Sequence, residues 1–190
     1  HGEDVKEYYY YLDATPTGSY ARMNYKYPQA AFPYQQLLDE NHRRGVDARE
    51  YELIDTGIFK DNRYFDVFVE YAKNTPEDIL MRITVRNVGP EAADIHVIPQ
   101  CTLRNTWSWD VDAERPDMRL GKDGSIVIDH AELGTHQLRS DDDATPLFCE
   151  NETNAQRLYG TEAATSYPKD AINDTIVQGR DASKPEQRGT

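Results

Sequence analysis

Tyr64-Phe-Asp-Val-Phe-Val-Glu-Tyr-Ala72 is the stretch that decides the fold. Read with a period of two, it puts Phe65, Val67, Val69 and Tyr71 on one face and Tyr64, Asp66, Phe68 and Glu70 on the other. A helix would scatter those apolar residues around its axis, whereas a half-buried strand collects them. The next segment, Ile79-Leu-Met-Arg-Ile-Thr-Val-Arg86, repeats the pattern with Ile79, Met81, Ile83 and Val85 on one side.

The same pattern spreads outward from this pair. Upstream, Ser19–Tyr27 alternates Tyr20, Met23, Tyr25 and Tyr27 with polar residues and stops at Pro28. Val5–Asp13 is rich in β-formers, and the turn Asp13-Ala-Thr-Pro16-Thr-Gly18 joins the two as an antiparallel pair. Pro33–Arg44 reads as a helix, with Pro33 in the first turn, a basic last turn and Gly45 after it. Tyr51–Asp55 reads as a short strand. Downstream, Asn87-Val-Gly-Pro90 is a turn, so Leu80–Ile98 reads as a sandwich hairpin, and Ala92–Gln100 and Cys101–Trp107 read as further strands. Ser125–Asp129 is a strand after the turn Gly121-Lys-Asp-Gly124, and Tyr167–Val177 is a short helix closed by Gly179. Strands recurring at intervals of about ten residues predict an all-β fold, a large antiparallel β-sandwich, and not βαβ units. The expected helical insertions lie near 33–44 and 168–177. The expected organisation is one sandwich domain over 1–180 and a polar linker or tail over 181–190.

Charge and size narrow the function classes. The chain has 190 residues, with 34 Asp and Glu against 21 Lys and Arg, a net charge of −13. That balance, without any basic run, excludes nucleic acid and anionic membrane as expected partners. No apolar run approaches the roughly 20 residues of a membrane span. Cys101 and Cys149 permit one disulfide, but with no CxxC pattern two buried thiols in a reducing compartment are the favoured reading, hence a cytoplasmic protein. The opening His1-Gly-Glu-Asp-Val-Lys-Glu7, without Met or leader, reads as the interior of a longer chain. Its 13 tyrosines suit half-buried strands and sugar-facing surfaces alike.

Four constellations could carry chemistry. A true N-terminal His1 could brace copper through its amine and ring, as in lytic polysaccharide monooxygenases, although His42, His96, His130 and His136 sit in no convincing partner motif. Glu3, Asp4 and Glu7 offer paired carboxylates, interrupted by Lys6; lining a site fits them better than catalysis. In Arg104-Asn-Thr-Trp-Ser-Trp-Asp110 the two indoles, Trp107 and Trp109, would share a face of a strand, forming either a sugar-stacking platform or a core wall, with Arg104, Asn105 and Asp110 able to bond hydroxyls. Asp110–Asp117 lacks the glycine-centred spacing of a calcium loop, and Asp141-Asp-Asp143 reads as a solvated turn. No phosphate loop, zinc pattern or Ser/His/Asp arrangement is present, and no cofactor or metal is expected.

Several segments, taken together and in order, resemble one family. His1–Asp13, Tyr25-Lys-Tyr-Pro-Gln29, Phe65–Ala72, Arg104–Trp109, Glu150-Asn-Glu-Thr-Asn154 and Lys169-Asp-Ala-Ile-Asn-Asp174 look like the bacterial glucosidase-like proteins of glycoside hydrolase family 63. The likeness runs from His1 to about Arg180. It implies the N-terminal β-rich sandwich of an inverting α-glycosidase, with the acid and base on a following (α/α)6 barrel. On that view the chain is non-catalytic, its partners are the barrel of the same parent chain and an α-glucoside or oligosaccharide, and no catalytic residue transfers to it. Gly18 stands where the family pattern has His. The residues expected to face the barrel or the sugar are Glu3, Asp4, Lys6, Arg104, Asn105, Trp107, Trp109 and Asp170. The residues alone also permit a free-standing carbohydrate-binding module.

Overall fold

The computed structural model describes residues 8–110 and 112–190. The chain divides into two compact units, one ending at Val97 and the other spanning Ile98–Thr190, where the sequence suggests a single domain. Each unit holds one antiparallel four-stranded sheet, so the fold is β-rich with few helices.

In the first unit, β1 (Tyr9–Ala14), β2 (Tyr20–Pro28), β3 (Tyr64–Thr75) and β4 (Asp78–Asn87) lie in the order β1-β2-β3-β4. The register follows the sequence alternation. Tyr9 opposes Tyr25, Tyr25 opposes Val67, and Val67 opposes Val85, so one face is apolar from edge to edge. Tyr9 stacks on Tyr25 with ring centroids 4.3 Å apart. The opposite face is charged: Lys26 bonds Asp66 at 2.8 Å and lies over the Tyr64 ring, and Glu70 accepts from Tyr20 Oη and Arg82 Nε at 2.8 and 2.9 Å. A register shift between Tyr11 and Asp13 leaves Leu12 unpaired, a bulge that keeps Ala14 in step with Ala21.

The segment between β2 and β3 folds back over part of the apolar face. It holds α1 (Tyr34–Arg44), as expected, ended by Gly45 after His42, Arg43 and Arg44. The expected strand at Tyr51–Asp55 is instead a 3-10 turn over Leu53–Thr56. The Asp55 carboxylate accepts the Glu52 N–H at 3.0 Å, closing the turn, and the turn drives Leu53 inward. Leu53, Leu37 and Tyr8 form the core there, with Tyr25, Phe32, Tyr51, Ile58 and Phe59 packed around them. Cover is uneven along β3. Phe65 is 3% exposed, but on the same face farther along, Tyr71 is 45% exposed beside Met81 at 41% and Ile79 at 58%.

The expected hairpin Leu80–Ile98 does not form, and the strands expected at Ala92–Gln100 and Cys101–Trp107 are absent. The Asn87 side chain accepts from Gly89 N–H at 2.9 Å and donates to the Glu91 carbonyl at 2.7 Å. This bends the chain off the sheet, and Pro90 and Pro99 remove ladder donors on either side. β4 therefore pairs with β3 alone.

The second unit holds β5 (Asp117–Leu120), β6 (Ile126–His130), β7 (Gly134–Leu138) and β8 (Arg188–Gly189), ordered β7-β6-β5-β8. Gly121–Gly124 turns β5 into β6 as read, with Asp123 accepting from Ser125 N–H and Oγ and Gly124 at φ 82°. His130 Nδ1 accepts the N–H groups of Glu132 and Leu133 at 3.1 and 3.2 Å, shaping the β6–β7 turn. Met118, Ile128 and Phe148 make the core, backed by Leu103, Leu120 and Ile126. Helices α2 (Ala155–Tyr159) and α3 (Ala171–Gln178) follow, α3 ending in left-handed Gly179. The segment expected as a polar tail instead supplies β8, held by Arg188 to Asp117 and by Lys184 to Glu150. Cys101 and Cys149 are free thiols, as favoured; Cys101 is exposed and Cys149 half-buried, not fully buried.

Two outcomes follow for the first unit. Phe65→Ala should cost about 3–5 kcal/mol in denaturant unfolding, whereas Ile79→Lys and Met81→Lys should stay within about 0.5 kcal/mol of the parent, since their face lacks cover. The Arg82 guanidinium and the Tyr20 hydroxyl hold the Glu70 carboxyl well below its ordinary 4.5, to about 2. A depressed carboxylate stabilises the fold above its unfolded value and loses that contribution as pH falls through the folded one. Thermal melts between pH 4.5 and pH 2 should therefore show a falling Tm in the parent and a shallower fall in Glu70→Gln.

Candidate functional site

Glu150-Asn-Glu-Thr-Asn154 organises the second unit. It follows Phe148 of the core as an extended run with no ladder, so its polar groups are free to bond outward. Nearly every side chain does so to a different segment. Glu150 takes Lys184 on one oxygen and Thr190 Oγ1 on the other, the latter at 2.7 Å. Asn151 donates to the Leu103 carbonyl at 2.6 Å, and its own carbonyl accepts Asn105 Nδ2 at 2.8 Å. Glu152 Oε1 accepts the Trp107 indole N–H at 3.0 Å, with Arg115 3.6 Å away. Asn154 caps α2 by accepting Arg157 N–H at 3.0 Å, and donates to both oxygens of Asp170. Backbone bonds tie Glu150 N–H to the Tyr167 carbonyl and Lys169 N–H to the Glu152 carbonyl, at 2.8 and 3.1 Å.

This knot gathers three of the sequence-predicted residues, Asn105, Trp107 and Asp170, and assigns them different tasks. Asn105 and Trp107 are spent internally: Asn105 also accepts Ser108 N–H at 3.1 Å, closing a turn. Trp107 is 6% exposed and Trp109 69%, so the two indoles do not share a face. The expectation that they would rested on a strand, and residues 107–109 form a turn, where alternate side chains need not point together. Arg104 lies over the outward Trp109 ring, 5.1 Å from its centroid. Asp170 is the partner of Arg157, whose other nitrogen reaches Asp174 at 2.7 Å. That arrangement raises the Arg157 guanidinium above its ordinary value, chiefly through Asp174. Burial raises the Cys149 thiol above its ordinary value, which disfavours the thiolate.

Glu3, Asp4 and Lys6, with His1, lie outside the described residues. Among the described residues no three of His, Cys, Asp and Glu converge as a metal site, and neither Asp110–Asp117 nor Asp141–Asp143 forms one. No described helix is long and apolar enough to cross a membrane. A further set escaped sequence reasoning. Gln156, Glu162, Ser166 and Asp174 line an open cavity beside α2 and α3. The signal for it was slight: a capping Asn154 before a five-residue helix that short-range periodicity does not register.

Compared with known proteins, the whole chain is 36% identical to the Saccharomyces cerevisiae protein described as uncharacterized protein YMR196W, across 227 aligned positions. The chain spans 21% of that relative's length. No protein-family model and no solved structure matches the chain.

Removing Glu152 strands a buried indole donor. Glu152→Ala should cost about 1–3 kcal/mol in chemical unfolding and shift the Trp107 fluorescence; an unchanged spectrum and midpoint would show that the indole has another partner.

Proposed function

We propose that this chain is the non-catalytic, β-rich N-terminal domain of an inverting α-glycosidase of the glycoside hydrolase family 63 kind. Its role is to support an (α/α)6 barrel of the same parent protein and to lend residues to the sugar entrance. The fold expected of such a domain is a large β-sandwich. The observation that carries the proposal is the uncovered apolar sheet face around Tyr71, Ile79 and Met81. An apolar face of that kind is unfavourable in water and marks a surface meant for another protein part. The ordered likeness over His1–Arg180 names the kind of part. The match to a relative of which the chain spans 21% fits a chain that works inside a larger protein.

Within this reading the residues divide by task. Asn105, Trp107 and Asp170 set the shape of the loop cluster and touch no ligand themselves. Trp109, with Arg104 fixing its ring, is the group free to stack on a sugar. Glu3, Asp4 and Lys6 remain candidates for the same entrance. General acid and base work belongs to the barrel on this reading; here Glu152 is engaged with the Trp107 indole and Arg115, and Asp170 with Asn154 and Arg157.

The test uses the longer native protein beside the 190-residue chain. Hydrolysis of aryl α-glucosides and α-linked oligosaccharides, with inversion followed by NMR of the released anomer, is expected from the longer protein and not from the chain. Trp109→Ala in the longer protein should raise KM several-fold while leaving kcat nearly unchanged. Turnover by the chain alone, or a longer protein inert toward every α-linked sugar, would sink the proposal. The exposed Trp109 also favours a second reading, a free-standing carbohydrate-binding module; calorimetric heat with malto- or manno-oligosaccharides and an inert longer protein would select it.

A further inference from the structure

Beside the Glu150–Asn154 knot, α2, the loop after it and the start of α3 line a broad, widely open depression of about 510 Å³. Its volume lies in the range of small-molecule sites. The walls are built from small residues, among them Ala164 and Ala171, with Pro168 beside them. Six polar residues line it, of which Asn154 is engaged with Asp170 and Arg157, and Thr165 Oγ1 accepts the Tyr167 N–H at 3.1 Å. The side chains of Gln156, Glu162 and Ser166 make no hydrogen bond or ion pair among the described residues. Asp174 gives Oδ1 to Arg157 and Gln178, at 2.7 and 3.2 Å, and leaves Oδ2 unpaired among those residues.

The chemistry of the lining selects the ligand. Two carboxylates and no lysine or arginine face the space, so an anion is repelled. Arg157, the nearby cation, is held by Asp170 and Asp174 and is not free to receive one. No aromatic ring lines the walls, so a flat hydrophobe finds nothing to stack on. A cation would gain little, because Asp174 is already neutralised by Arg157 and Glu162 is an exposed, solvent-screened charge. A compact ligand dense in neutral hydroxyls meets every term. Its O–H groups donate to Glu162 Oε and Asp174 Oδ2, its oxygens accept from Gln156 Nε2 and Ser166 Oγ, and the alanines let a saturated ring approach closely.

We propose that this cavity is a binding site for a neutral polyhydroxyl ligand of one or two sugar rings. The site stands on residues 154–182 alone and holds whether or not a catalytic barrel belongs to the same protein. Being widely open to solvent, it should bind weakly, with a dissociation constant on the order of 1 mM.

The experiment is an NMR titration of the 190-residue chain with maltose. Saturable shifts are expected in the amides of residues 162–166 and 171–174. Ala164→Trp, which fills the cavity, should weaken binding about tenfold or more, and the Gln156→Ala/Glu162→Ala double variant several-fold, with circular dichroism unchanged. The double variant lies on the surface and keeps the test decisive if the tryptophan disturbs folding. Absence of saturable shifts at maltose concentrations on the order of 0.1 M, or equal affinity in the double variant, overturns the proposal. So does saturable binding of inorganic phosphate or spermidine here in place of maltose. Maltose binding by the chain, together with a longer protein that hydrolyses no α-linked sugar, would refute the glycosidase reading and leave this site standing.

Discussion

A sheet that is apolar from edge to edge on one side must have that side removed from water, and the first unit is arranged around this requirement. β3 sits in the middle of the ladder and carries Phe65, Val67, Val69 and Tyr71 on the side that needs cover. The segment joining β2 to β3 is long enough to return across the sheet, and its helix and 3-10 turn bring Leu37 and Leu53 down onto Tyr8 and Tyr25. That cover stops partway. The hydrophobic gain at Phe65, of the order of 25 cal/mol per Å² buried, is not collected at Met81 and Ile79, where the same face still meets solvent. The charged side has no such requirement; Lys26, Asp66, Glu70 and Arg82 pair across the strands and remain hydrated.

The second unit solves a different problem. Its strands are short and its apolar core is small, with Met118, Ile128 and Phe148 at the centre. Long connecting segments must be held without ladders, and side-chain hydrogen bonds do this. Five consecutive residues, Glu150–Asn154, contact the Trp107 loop, the start of α3 and the C-terminal strand. Such a network has order only when each polar member finds its partner, since a buried donor left alone costs more than the bond contributes. The price of that order is that Asn105, Trp107 and Asp170 are engaged within the fold, while the outward Trp109 and part of the polar lining of the neighbouring cavity stay free of such bonds.

The two units bear differently on function. The first presents an apolar area that suits contact with another protein part. The second presents polar, hydroxyl-matching chemistry on loops shaped by a rigid knot, the usual division between scaffold and site.

Period-two alternation was enough to determine β2, β3 and β4 as strands and the apolar face of β3 and β4, because side-chain direction in a strand follows from local geometry alone; that β3 pairs with β2 and β4, and in which register, was decided by the folded sheet. Pro33 and the basic run before Gly45 likewise determined α1, and the glycine turn at 121–124 determined the start of β6. Short polar strands such as Asp117–Leu120, Gly134–Leu138 and Arg188–Gly189 carry no such signal; only pairing with neighbours distant in sequence makes them strands. The same holds for the separation of Trp107 from Trp109 and for the turn that replaces a strand at Leu53–Thr56. Each was decided by a partner, Glu152 for one indole and Asp55 for the turn, whose position relative to its target exists only once the chain has folded.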